Sequence, residues 1–115
     1  MPTVSDIIEH LGVKVLTRGP SLSTEVTGGY TSDLLSCVMA RAKTGNVWVT
    51  LQAHPNIVAV ASLLNLSCII VTEGKEVEPP TLERAEDEGL PILSTPLTSF
   101  SVVEKLSGLG IHGNQ

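Results

Sequence analysis

Asn46-Val47-Trp48-Val49-Thr50-Leu51, Ile57-Val58-Ala59-Val60-Ala61-Ser62-Leu63-Leu64 and Ser67-Cys68-Ile69-Ile70-Val71 are three apolar runs separated by short polar loops. The first is rich in β-branched residues and reads as a strand. The second follows Pro55, a residue suited to the first helical turn, and reads as a helix. It is apolar on every side, so it needs cover all round, and a domain this small is expected to leave one face for another subunit. The third is a continuous apolar run, the pattern of a strand buried on both faces of a parallel sheet. Strand, helix and strand in this order imply parallel pairing through a right-handed crossover.

The pattern continues outward on both sides. Pro79-Pro80 opens a helix with Leu82 and Ala85 facing inward, and Gly89 ends it. Leu90 to Ser94 reads as a final strand and Thr98 to Leu106 as a last helix, with Phe100, Val103 and Leu106 on one side. Upstream, Ser32 is a candidate N-cap with Asp33 in the first helical turn, where a carboxylate favours the dipole. Leu34, Leu35, Val38, Met39 and Ala42 follow at helical spacing, Arg41 and Lys43 lie toward the C-terminal end, and Gly45 stops the helix. A first short helix is capped by Thr3 or Ser5, carries Val4, Ile7, Ile8 and Leu11 on one face, and ends at Gly12. Val13 to Thr17 and Leu22 to Thr27 read as two extended pieces around Arg18-Gly19-Pro20. The fold class is therefore α/β, a small mostly parallel sheet flanked by helices.

At 115 residues the chain has room for one domain and one core. A hydrophobic content of 42 % excludes intrinsic disorder. A net charge of −5 argues against a nucleic-acid polymer as partner, since phosphate contacts need clustered bases. The charge sits in one window. Glu73, Glu76, Glu78, Glu83, Glu86, Asp87 and Glu88 face only Lys75 and Arg84 there. This is a solvated helix face or a docking patch for a basic partner. The longest apolar stretch, Ile57 to Val71, is broken by Ser62, Asn65 and Ser67 and is too short to cross a bilayer. The first six residues have neither the basic nor the apolar region of a secretory signal. Cys37 and Cys68 lie in apolar surroundings without C-x-x-C spacing, which suits reduced core thiols and a cytoplasmic location.

Ligands of an open parallel sheet bind beyond the carboxyl ends of its strands. Gly28, Gly29, Thr31, Ser32 and Asp33 form one loop expected there, with His54, Thr72, Gly74 and Thr95 in three others. Small residues, hydroxyls and helix N-termini suit an anionic group, and turn-making alone explains the same residues. His54 is a candidate general base near Asp33, or else a capping or solvent-exposed histidine. Trp48 is a core residue or an interface anchor. There is no G-x-G-x-x-G, and Gly74-Lys75 is followed by Glu76 with Ile69 where a P-loop needs its leading glycine. His10 and His112 lack spaced partners, so no metal site and no cofactor are expected.

Val26-Thr27-Gly28-Gly29-Tyr30-Thr31-Ser32-Asp33-Leu34-Leu35, then Ile69-Ile70-Val71-Thr72-Glu73-Gly74, Pro79-Pro80 and Leu90-Pro91-Ile92-Leu93-Ser94-Thr95 resemble the DRTGG domain. Glu25-Val26 stands before Thr27-Gly28-Gly29, so the Asp-Arg of the family name is not kept at that place. The resemblance covers residues 1–110 as a single domain and leaves 111–115 as a flexible tail. It implies a fold similar to the N-terminal domains of HPr kinase/phosphorylase and, more distantly, of muramyl ligases. It also implies a regulatory or dimerising module without established catalytic residues. The expected function is a stand-alone, non-catalytic regulatory module that homodimerises and binds a small anionic metabolite or nucleotide. One alternative is a protein-interaction subunit of a metabolic or redox enzyme complex. A second is a small enzyme using His54 and Asp33.

Overall fold

The computed structural model describes residues 1–114. Its elements in chain order are α1 (Val4–Leu11), β1 (Lys14–Val15), β2 (Gly28–Thr31), α2 (Leu35–Arg41), β3 (Asn46–Thr50), α3 (Asn56–Leu64), β4 (Cys68–Val71), α4 (Pro79–Glu88), β5 (Ile92–Ser94) and α5 (Ser99–Gly108). The sheet runs β1-β5-β4-β3-β2. Strands β2 to β5 are parallel, and β1 pairs antiparallel with β5 at the far edge. The mostly parallel α/β architecture read from the sequence is the one observed.

Three successive crossovers of one hand place α2, α3 and α4 together on one face. Val38 of α2 with Ala42 just after it, Ile57, Val58, Val60 and Ala61 of α3 and Ala85 of α4 pack there on Trp48, Ile69, Val71 and Ile92. Val4 and Ile7 of α1 and Val102 and Leu106 of α5 cover the other face, against Val47, Val49, Cys68, Ile70 and Leu93. Consecutive strand residues therefore feed opposite cores, which is why Val47 to Val49 and Cys68 to Val71 are apolar runs rather than alternating.

The all-apolar sequence of α3 is covered within the chain on the sides toward the sheet, α2 and α4, and the expectation of a second subunit bears on the outer face, where Ala59 and Leu63 are exposed. α2 and α4 flank it on either side and the sheet lies beneath. Ile57, Val58, Val60 and Ala61 are buried within the chain, while Leu63 is 67 % exposed. Trp48 is likewise core, fully buried, with Nε1 donating to the Ser32 carbonyl at 3.0 Å. On α5 the buried residues are Val102 and Leu106, not the Phe100–Val103–Leu106 stripe expected; Phe100 is 86 % exposed.

The two extended pieces near the N-terminus are shorter or looser than expected. β1 keeps only two residues, and the Thr17 hydroxyl receives the Ile92 N–H at 3.2 Å. Residues 22–26 form a strap over the start of α1 rather than a strand. Val4 and Ser5 donate to the carbonyls of Thr24 and Leu22, and Val26 donates to Pro2. Thr3 caps α1 in a reciprocal capping box with Asp6.

The segment after α5 is docked, unlike the flexible tail expected. Ile111 is buried, Gly113 forms a parallel bridge with Gly29, and the Gly29 N–H donates to the His112 carbonyl at 3.0 Å. Asn114 Nδ2 donates to Asn46 Oδ1 at 2.8 Å and to the Arg41 carbonyl at 3.2 Å. Residue 115 lies outside the described residues. This short addition protects the open edge of β2, a place where an unpaired strand would invite other chains.

Candidate functional site

At the carboxyl end of the sheet, Asp33 sits in the link from β2 to α2. It does not occupy a first helical turn as expected, because α2 starts at Leu35 with Leu34 as its N-cap. Instead Asp33 Oδ1 accepts from the Thr50 hydroxyl at 2.8 Å and from the Leu51 N–H at 2.7 Å. Gln52 Nε2 returns a bond to the Asp33 carbonyl at 2.9 Å. Ser32 Oγ accepts from the Leu34 N–H at 3.1 Å, a local turn bond. These contacts tie the end of β2 to the end of β3.

His54 lies at the start of α3. Its Nδ1 accepts from the Asn56 N–H at 3.1 Å, which is the capping role among the alternatives. Ala53 beside it is held by α4: its carbonyl receives the Thr81 hydroxyl at 2.6 Å and the Glu78 N–H at 3.4 Å. Asp33, Gln52, His54, Glu73, Lys75 and Glu78 line a cleft of about 570 Å³. Sequence reasoning does bring Asp33 and His54 to one place. Three carboxylates face one lysine there, a poor setting for a free anion.

Thr72, Gly74 and Thr95 hold the neighbouring loops together. The Thr72 and Ser99 hydroxyls lie 2.6 Å apart, the Gly74 N–H donates to the Thr95 carbonyl at 3.0 Å, and Thr95 Oγ1 accepts from the Leu97 N–H at 3.2 Å. Glu73 has a left-handed φ of 61° and Gly74 one of 69°, so Thr72 to Lys75 makes a tight turn closed by a Lys75 N–H to Thr72 carbonyl bond. The Glu73 carboxylate reaches the Ser99 N–H at 3.4 Å, and Thr98 caps Ser101. The N-terminus of α5 thus already faces a carboxylate.

Gly28 and Gly29 are strand residues, not loop residues, and stand at the amino end of β2, away from Asp33. A Cβ on Gly28 would lie 2.9 Å from the His112 carbonyl oxygen, so the close approach of the docked segment explains this glycine. Gly29 and Thr31 do line a different cleft. It has a volume of about 540 Å³ and opens at the β2 edge between α2, α5 and residues 111–114. Arg41, Lys43 and His112 bring positive or ionisable groups, Val49, Val103, Leu106 and Ile111 give an apolar floor, and among the described residues no Asp or Glu lines it. Arg41 and Lys43 are visible in the sequence as basic residues near a helix end. Their partners across the cleft come from the far end of the chain, so no local spacing signals it.

Among the described residues there is no cluster of His, Cys, Asp and Glu able to hold a metal ion, and no helix is long and apolar enough to cross a membrane. Both cysteines are free. Burial pushes the Cys68 thiol up to about 12 from 9.0, against the lesser, opposing effect of the Ser67 hydroxyl.

The sequence matches the DRTGG domain family over residues 6–109, nearly the whole chain. The chain belongs to this family. Its fold is similar to a crystal structure described as the CBS and DRTGG domains of the regulatory region of Clostridium perfringens pyrophosphatase complexed with activator, diadenosine tetraphosphate. The similarity has a TM-score of 0.67 at 15 % sequence identity and covers 90 % of this chain. The DRTGG domain described here spans 45 % of that longer chain. A search among curated proteins finds no sequence match. The DRTGG match also ends before the docked segment 111–114, which builds one wall of the edge cleft.

Proposed function

We propose that this DRTGG domain is a non-catalytic regulatory module that binds a small anionic metabolite or nucleotide. The observation that carries the reading is the commitment of its two candidate acid–base groups to the scaffold. His54 Nδ1 accepts a backbone N–H, which leaves the neutral ring only a donor at Nε2 and no free basic nitrogen. Asp33 Oδ1 receives two bonds that join adjacent strands. Family membership and the regulatory setting of the Clostridium perfringens neighbour support the same role. Two unpaired cysteines suit a reducing, cytoplasmic setting.

A thermal-shift screen of nucleotides, inorganic phosphates and acyl phosphates tests it. A ligand at 100 times its dissociation constant stabilises the fold by about 2.7 kcal/mol. Absence of any stabilising ligand, or turnover of one of them that is lost in His54→Gln, would overturn the reading.

Self-association belongs to the same proposal, supported by Leu63 of α3, which is 67 % exposed, and by α5. Phe100 of α5 is 86 % exposed and lies outside both clefts. An exposed aromatic ring suits the anchor of an interface. Sedimentation equilibrium is expected to give a dimer for the native chain and a monomer for Phe100→Ser. A monomeric native chain would leave the face to a different protein, the interaction-subunit alternative.

A further inference from the structure

We propose that the cleft at the β2 edge is the site of the anionic ligand, and that it takes a nucleoside phosphate. This assignment rests on the ligand-binding reading above. It differs from the carboxyl-end crevice that the fold would suggest, and charge decides between the two. The crevice sets Asp33, Glu73 and Glu78 against Lys75. The edge cleft holds Arg41 and Lys43 with no Asp or Glu among the described residues, in a chain whose net charge is −5.

Among the described residues no side-chain hydrogen bond engages the two basic heads. The bonds at these residues run through their backbones: the Lys43 N–H donates to Asn46 Oδ1 at 2.9 Å, and the Arg41 carbonyl accepts from Asn114 at 3.2 Å. Both residues are exposed at the end of α2. A guanidinium and an ammonium two residues apart match a phosphate or diphosphate, the first as a fork and the second as a point charge. The C-terminal end of α2 disfavours an anion, so the side chains must supply the attraction.

The rest of the cleft suits a flat heterocycle rather than a second charge. Val103, Leu106 and Ile111 form an apolar floor, and a volume of about 540 Å³ is within the usual range for a small-molecule site. Recognition of the ring edge falls to β2. Gly29 points its N–H out of the sheet toward His112. Backbone groups alternate in direction along a strand, so Thr31 turns its N–H and carbonyl the same way, at the cleft that it lines. That donor–acceptor pair is the complement of a nucleobase edge. The Thr31 hydroxyl does not compete, because it donates to the Val49 carbonyl at 2.9 Å.

The test titrates the full chain with ATP and, separately, with inorganic pyrophosphate, followed by amide and methyl NMR shifts. ATP is expected to move Thr31, Lys43, Val103 and Asn114, and to bind at least tenfold tighter than pyrophosphate. The double variant Arg41→Ala, Lys43→Ala is expected to weaken ATP at least tenfold, and Lys75→Ala to change it less than twofold. Val103→Glu, at a half-exposed position, is expected to abolish ATP binding while the spectrum stays folded. Shifts confined to His54 and Lys75 would overturn the assignment and leave the sensing role standing. Equal affinity for ATP and pyrophosphate would remove the base subsite. No binding of either probe overturns the nucleoside-phosphate site, and the sensing role falls with it only if the wider thermal-shift screen is also empty.

Discussion

Asp33 and Thr50 are joined by a 2.8 Å hydrogen bond from the buried threonine hydroxyl to Oδ1, and this bond closes the carboxyl ends of β2 and β3 on each other. The same hydroxyl accepts from the Gln52 N–H at 3.0 Å. Thr50→Val keeps the shape and β-branching but removes both bonds. Loss of such a pair should destabilise the fold by about 1–2 kcal/mol. Urea denaturation checks it, and a midpoint unchanged from the native chain would mean that Asp33 is held by Leu51 alone.

The α5 face makes a second prediction by contrast. Phe100→Ser should leave the stability of the isolated protomer within about 0.5 kcal/mol, since its ring buries little. Val102→Ala removes two methyl groups from a fully buried site and should cost roughly 2 kcal/mol. Thermal denaturation at low protein concentration, where any self-association is dissociated, separates them. A larger loss for Phe100→Ser would require the ring to pack within its own chain.

The residues of α5 also show how far the sequence could be read. Phe100, Val102, Val103 and Leu106 offer two overlapping helical stripes, and only the tertiary position of the helix selects Val102 with Leu106. By contrast, residues 46–71 were legible because burial on both sheet faces makes Val47 to Val49 and Cys68 to Val71 apolar runs. Gly28 misled because glycine serves tight turns and close backbone approach equally well, and the approaching backbone is His112. Asp33 and His54 were placed in the right crevice by topology. Their roles turned on which N–H groups lie within bonding distance, which no spacing encodes. Arg41 and Lys43 gave no site signal because the apolar floor opposite them comes from α5 and the segment after it.

Cys68 links stability to alkaline pH. Burial holds the folded thiol at about 12 against 9.0 when unfolded. The folded state therefore keeps its proton where the unfolded state has lost it. The contribution is fully present below about pH 9 and declines as pH rises toward 12, by up to about 1.4 kcal/mol per pH unit. Comparing the native chain with Cys68→Ala between pH 8 and about 11 cancels the other groups that titrate there. The native chain should lose stability faster, and equal slopes would show that the unfolded thiol is not the one ionising. At pH 8, thiol labelling of the folded protein should modify the half-buried Cys37 and spare Cys68 until denaturant is added.

Gly28 tests whether the segment after α5 is part of the fold. Its place in β2 is set by three neighbours: the His112 carbonyl oxygen 2.9 Å from an added Cβ, and Asn114 Oδ1 and Asn46 Nδ2 each at 3.3 Å. The first is backbone and cannot swing aside, so Gly28→Ala must push residues 112–114 off the edge or bend β2. Overpacking of this kind costs about 1–3 kcal/mol. Displacement of the segment would free the Gly29 N–H from His112 and break the bonds from Asn114 to Asn46 and Arg41. Amide exchange at Gly29 should speed up in Gly28→Ala, while exchange in β4, buried at the centre of the sheet, stays slow. Unchanged protection at Gly29 would mean that the segment adapts to the methyl group, and that its docking tolerates more room than the 2.9 Å approach implies.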